Sequence, residues 1–152
     1  MTIAFGTDGW RGVIADDCTF AEMRRIASAV ARFYVSGDGP GDRRRIVVGH
    51  DTRFLSPEFA RAAAEVFARA GIDVLLTDRP IPTPAVSYHV RRLGLRGGVA
   101  ITASHNPGEY TASRSRPTSG GARRPATMRP WPPSRTVLFR PPLALEPSRW
   151  RT

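Results

Sequence analysis

"RIVVGHDTRFLSPEFARAAAEVFARAGIDVLLTD", residues 45–78, holds a strand, a helix and a second strand in a single line. The apolar run at Ile46, Val47 and Val48 reads as a buried strand, closed by Gly49 and Asp51. After a short loop, "TRFL", Ser56 stands as N-cap, Pro57 at the first helical position and Glu58 in the first turn. Proline suits that position because its missing N–H would have no intrahelical partner there. Gly71 lies just past the helix, and "IDVLLTD" at 72–78 is the next strand. A strand, helix and strand in that order predict parallel pairing with the helix laid on one face of the sheet.

The same alternation extends in both directions. Upstream, "TIAF" at 2–5 is a short strand leading into a loop, "GTDGWRG" at 6–12. Thr19 and Glu22 have capping-box spacing, and Met23, Ile26, Ala27, Val30 and Phe33 or Tyr34 recur at helical spacing, which predicts a helix over about 20–35. "SGDGPGD" at 36–42 breaks the chain. Downstream, Thr83 and Pro84 open a helix reaching about Leu93, and "GGVAITA" at 97–103 is an apolar run ending at Ser104. The class is therefore α/β. The segments "HDTR", "TDRPIPTP" and "TASHNP" fall at carboxyl ends of strands, where open α/β sheets bind ligands.

Composition narrows the partners. The formal charge is +10, yet residues 1–110 carry 14 Arg against 12 acids, whereas residues 111–152 carry 9 Arg against Glu146 alone. The basicity belongs to the tail, which also holds 8 of the 14 prolines and, apart from "TVLF", no apolar pattern. Such a segment cannot bury enough apolar surface to offset its ordering entropy, so residues 111–152 are expected to be a disordered tail. The single cysteine, Cys18, rules out an intrachain disulfide, and no apolar run approaches the roughly 20 residues that cross a bilayer. The N-terminus has no basic residue before Arg11 and does not fit a signal peptide, so a cytoplasmic location is expected.

Ser104 follows a buried strand and is flanked by Ala103, His105, Asn106 and Pro107, so its hydroxyl can stand exposed on a tight loop. Read locally, Ser-His-Asn-Pro is also simple turn chemistry, with Asn106 making an Asx turn. His105 is not expected to form a dyad with Ser104, because neighbours in extended backbone project to opposite sides.

"FGTDGWRG" at 5–12, "VVGHDTRFLSPEFA" at 47–60, "PIPTPAVSY" at 80–88 and "GGVAITASHNPGEY" at 97–110 together resemble the first domain of the α-D-phosphohexomutases, the phosphoglucomutase and phosphomannomutase family. The resemblance implies a three-layer α/β/α domain over residues 1–110, with a mostly parallel mixed sheet. It also implies that Ser104 carries the phosphoryl group as phosphoserine, gives it to a hexose monophosphate and takes one back from the other end of the bisphosphate. Arg11 would stabilise the transferring charge and His105 would line the site. Mg²⁺ would be ligated partly by the phosphoserine oxygens. The family's carboxylate ligands lie in a second domain, and "GDGPGDR" at 37–43 is read as a loop in place of a metal site.

Past Tyr110 the pattern breaks. The family continues with Asn-Gly-Phe-Lys, and this chain with "TASRSR" at 111–116. Written AAC GGC TTC AAG GTC AAG, an in-frame Asn-Gly-Phe-Lys-Val-Lys becomes Thr-Ala-Ser-Arg-Ser-Arg once its first base is lost. The expectation is a one-base frameshift after the Tyr110 codon, leaving an incomplete first domain that is inactive alone. The alternative is a non-enzymatic binding protein whose basic tail contacts nucleic acid or other polyanions, although no nucleic-acid motif accompanies the charge.

Overall fold

The computed structural model describes residues 9–36, 42–117 and 136–139. In chain order the elements are β1 (Trp10–Val13), α1 (Phe20–Ser36), β2 (Asp42–His50), α2 (Ser56–Arg69), β3 (Asp73–Thr77), α3 (Thr83–Arg92), β4 (Leu95–Ile101), β5 (Tyr110–Pro117) and β6 (Thr136–Phe139). The expected strand at 2–5 lies outside the described residues, as do most of "SGDGPGD" and residues 118–135 and 140–152 of the tail.

One mixed sheet runs β1-β5-β4-β2-β3-β6. β2 pairs in parallel with β3, as the opening stretch predicts, and also with β4, and β5 and β6 run against their neighbours. β2 shows why helices cover both faces. Ile46 and Val48 enter a core built with α1 and α2, including Met23, Ile26, Phe59 and Phe67. Val47, pointing the other way, packs with Ile81, Val86 and Val90 around α3. Three layers follow from that period of two, and each fully buried large side chain contributes about 1.5–3 kcal/mol. The rings of Phe20 and Phe59 lock α1 to α2, with centroids 4.7 Å apart.

The helix starts differ in detail from the sequence reading. Thr19 does cap α1, its Oγ1 accepting the Glu22 N–H at 3.2 Å, but the Glu22 carboxylate turns to Arg25 at 2.8 Å. Ser56 does not cap α2. Leu55 occupies that position in left-handed backbone, φ 58°, and the Ser56 hydroxyl reaches back to Asp51. Pro82 likewise precedes α3, leaving Thr83 as its first residue. Gly71, with φ 80°, ends α2 as expected.

Two larger differences concern the sheet. Trp10, Arg11 and Gly12, read as loop, form β1, because Trp10 turns into the core and its ring packs over Gly12. Residues 111–117, read as the start of the tail, form most of β5, with Thr111, Ala112 and Ser113 buried between β1 and β4. "TVLF" is β6, paired with β3. Cys18 is fully buried, and burial, with Asp17 adding, pushes its thiol pKa up to about 12.

Candidate functional site

The carboxyl ends of β2 and β4 lie side by side, and the polar turn after each strand meets the other. At the end of β2, Asp51 donates its N–H to the Ile101 carbonyl at 3.1 Å. The Asp51 carboxylate then organises its own turn. Its Oδ1 accepts the Arg53 N–H at 3.0 Å and the Ser56 hydroxyl at 2.7 Å, and Oδ2 lies 3.3 Å from Arg53 Nε. The guanidinium is thereby aimed at the loop that leaves β4.

There it is used in full. Nη1 donates to the carbonyls of Pro107 at 2.6 Å and Tyr110 at 3.0 Å, and Nη2 to those of Ser104 at 2.8 Å and Asn106 at 2.6 Å. Guanidinium has five N–H groups in a fixed fork, and here four face carbonyls and one faces a carboxylate. Charge-assisted bonds of this kind are about twice as strong as neutral ones.

Within the loop, Ser104 has φ 59°. A non-glycine residue in left-handed backbone crowds its Cβ and costs about 1–2 kcal/mol. Two contacts hold it: its N–H donates to Thr102 Oγ1 at 3.0 Å and its carbonyl accepts from Arg53. The side chains of Ser104 and His105 are both exposed. Left-handed backbone also corrects the expectation that they diverge, since Ser104 Oγ lies 3.4 Å from His105 Nδ1. That separation is too long for a strong hydrogen bond, so the hydroxyl is an open acceptor and not half of a tight dyad. The Asx turn expected of Asn106 is absent: its Oδ1 is buried without a hydrogen-bond partner, and its backbone N–H bonds the Ala103 carbonyl.

Arg11 stands on β1, exposed, with β5 between it and β4. Its partner in the ladder is Ala112, whose carbonyl accepts the Thr102 N–H at 2.9 Å. Arg11 is thus tied through backbone to the strand end that bears Ser104, and among the described residues no hydrogen bond joins the two side chains.

From the sequence, Asp51 and Arg53 have no individual role in a site, only the closing of β2 by Asp51 and their place in "HDTR" at a strand's carboxyl end. Their local signal is two charged residues in a turn before a helix, which a solvated turn would also show. The carbonyls that Arg53 grips lie 51–57 residues further along the chain, where no spacing rule reaches. Among the described residues there is no group of three or more His, Cys, Asp or Glu able to hold a metal ion, and no helix long and apolar enough to cross a membrane.

Comparison with known proteins agrees with this architecture. A family model described as "Phosphoglucomutase/phosphomannomutase, alpha/beta/alpha domain I" matches residues 2–128. A phosphoglucosamine mutase of Aromatoleum aromaticum is 46% identical over 107 residues, covering 68% of this chain and 23% of that protein. Another from a Nocardioides species is 43% identical over 108 residues, covering 70% and 24%. The chain therefore spans about a quarter of the length of the curated relatives it matches. Among solved structures, a Thermus thermophilus protein described as a candidate phosphomannomutase superposes with a TM-score of 0.72 at 45% identity, over 78% of this chain and 26% of that one. A phosphoglucomutase/phosphomannomutase family protein of Burkholderia thailandensis gives 0.64 at 25% identity, over 74% and 25%.

Proposed function

Because this chain belongs to the phosphoglucomutase/phosphomannomutase family as its α/β/α domain I, we propose that Ser104 is the phosphoryl carrier of an intramolecular phosphotransfer between the 1- and 6-positions of a hexose phosphate. The observation that carries this reading is the Ser104 hydroxyl itself, exposed at a strand end on a loop held in one backbone shape by Arg53. In the first half-reaction a sugar hydroxyl attacks the phosphorus carried by Ser104, the bond from Ser104 Oγ to phosphorus breaks, and the proton of the sugar hydroxyl passes to Ser104 Oγ. The second half-reaction runs the same step in reverse, with the Ser104 hydroxyl attacking and the bond from phosphorus to the sugar oxygen breaking. The bisphosphate then returns its other phosphoryl group to Ser104. Such transfers depend mainly on positioning and on cations around the moving charge. Arg11, exposed on β1, is the cation proposed for that charge, and His105, 3.4 Å from the hydroxyl, lines the approach.

Mg²⁺ is the cofactor this reading calls for. The described residues do not fit it unaided, since they supply one hydroxyl and no carboxylate cluster. Its remaining ligands would come from outside this chain, and no step is assigned to it. The relatives are about four times as long as the stretch that matches them, so this chain alone is proposed not to complete turnover. A one-base frameshift after Tyr110 accounts for the arginine and proline that follow, and so for a surplus charge that needs no polyanion partner. A cytoplasmic enzyme of sugar phosphate metabolism is the setting. Glucosamine phosphates are the pair to try first, because the relatives quoted above carry that name.

The test is phosphoryl uptake by the 152-residue chain. Incubated with glucosamine 1,6-bisphosphate or glucose 1,6-bisphosphate and Mg²⁺, the chain should gain one phosphoryl group, mapped by mass spectrometry to Ser104. Ser104→Ala should gain none. Unmodified Ser104 in a chain whose Cys18 remains protected would count against the carrier role.

A further inference from the structure

We propose that Arg53 is a positioning residue for the serine loop: it fixes the backbone of residues 104–110 and does not itself hold phosphate. The inference rests on the reading of Ser104 as phosphoryl acceptor and adds the part that sets its geometry. An arginine beside a phosphoryl acceptor is ordinarily read as an anion ligand. Here the four Nη N–H groups each have a backbone carbonyl of the loop as partner, and Nε is held in an ion pair with Asp51, 3.3 Å away. A phosphate could be bound only by giving up a carbonyl or the carboxylate. The side chain is also largely covered, 14% exposed, whereas Ser104 and His105 face solvent.

The four bonds are distributed so as to oppose the loop's own strain. Ser104 sits in left-handed backbone, φ 59°, and its carbonyl is one of the four acceptors. The bonds to Asn106, Pro107 and Tyr110 hold the next turn and the first residue of β5. One side chain thus spans the loop from the acceptor serine to the strand that returns it to the sheet. Lysine could keep the charge opposite Asp51, but its compact ammonium has only three donors and no planar fork to satisfy four carbonyls together.

The experiment compares the full chain with Arg53→Met and Arg53→Lys by two readouts. The first is backbone hydrogen exchange of residues 102–110, with thiol labelling of buried Cys18 as the monitor of the core. Both variants should speed loop exchange by at least about tenfold, the scale expected when local opening is eased by more than 1 kcal/mol, while Cys18 labelling stays as slow as in the natural chain. The second is the rate of phosphoryl uptake at Ser104, which should fall about a hundredfold in both, the scale of a misplacement near 1 Å.

Loop exchange unchanged in both variants would overturn the assignment. So would Arg53→Lys restoring uptake, which marks a point charge for phosphate, and so would Cys18 labelling that accelerates in both, which marks a prop of the whole fold. If Arg53→Met alone exposes Cys18, Arg53→Lys decides by the same readouts. Should the natural chain take up no phosphoryl group, the carrier reading fails, and the exchange data still decide what Arg53 does.

Discussion

Strands β4 and β5 lie against each other in antiparallel register, Gly97 opposite Pro117 and Ile101 opposite Ser113, yet they keep their places by different means. Every residue of β4 is buried, and its composition is matched to its neighbours. Gly97 leaves room for Tyr34, whose ring carbon would lie 2.4 Å from an added Cβ, and Gly98 leaves room for Val86 of α3. β5 offers Thr, Ala, Ser and Arg, and the Thr111 hydroxyl is buried with no hydrogen-bond partner. Its ties to α1 include Ser115, whose hydroxyl lies 2.8 Å from that of Tyr34. A ladder joins N–H to C=O whatever the side chains are, so small residues of suitable alternation can fill a strand they do not complement. A reading-frame change at Tyr110 is therefore compatible with a continued sheet.

The sharpest break of that comparison is Gly97→Ala. A methyl group driven against the buried Tyr34 ring should cost about 2–3 kcal/mol, read as a lower urea midpoint. A loss under about 0.5 kcal/mol, within the range of ordinary surface substitutions, would mean that β4 is no better matched than β5. Thr111→Val should act in the opposite direction. It keeps the shape, removes the orphaned hydroxyl and suits a strand, for a gain of about 1 kcal/mol. A loss of stability there would show that the hydroxyl has a partner and that β5 is matched after all.

The smallest effect concerns α3, which covers the opposite face of β4. Burial, with Arg92 adding, holds His89 below its ordinary value of 6.5. The unfolded chain then takes up the proton first, so stability is full above pH 6.5 and declines as pH falls below it towards the folded value. His89→Gln should flatten that acid limb of a stability-against-pH curve. An unchanged limb would place its origin in other groups.

The sequence showed most clearly what is repeated or local. Ser56, Pro57, Glu58 and Gly71 mark α2 almost to the residue because each answers to its own few neighbours. The parallel contacts of β2 follow from the order of elements. Trp10 to Gly12 were harder: two glycines and an aspartate around a tryptophan look like a turn, and only their partners Thr111 to Ser113, far along the chain, make them strand. Ser104 was visible as an exposed serine, but its left-handed backbone was not, because serine carries no local mark of positive φ. The Arg53 clamp was hidden for the same reason as β1, since all its acceptors lie across the fold.

The left-handed backbone at position 104 also narrows what any substitution there can report. The proposed carrier role asks for a hydroxyl and the backbone for tolerance of positive φ, and among the coded residues these demands conflict. Threonine has the oxygen but branches at Cβ, where the left-handed region is most restrictive. Glycine relaxes the turn and has no nucleophile, and alanine loses the oxygen while keeping the strain. Alanine and glycine variants used as a pair would therefore separate two things that a single replacement confounds: the absence of an attacking atom, and a change in the path of the main chain that presents it.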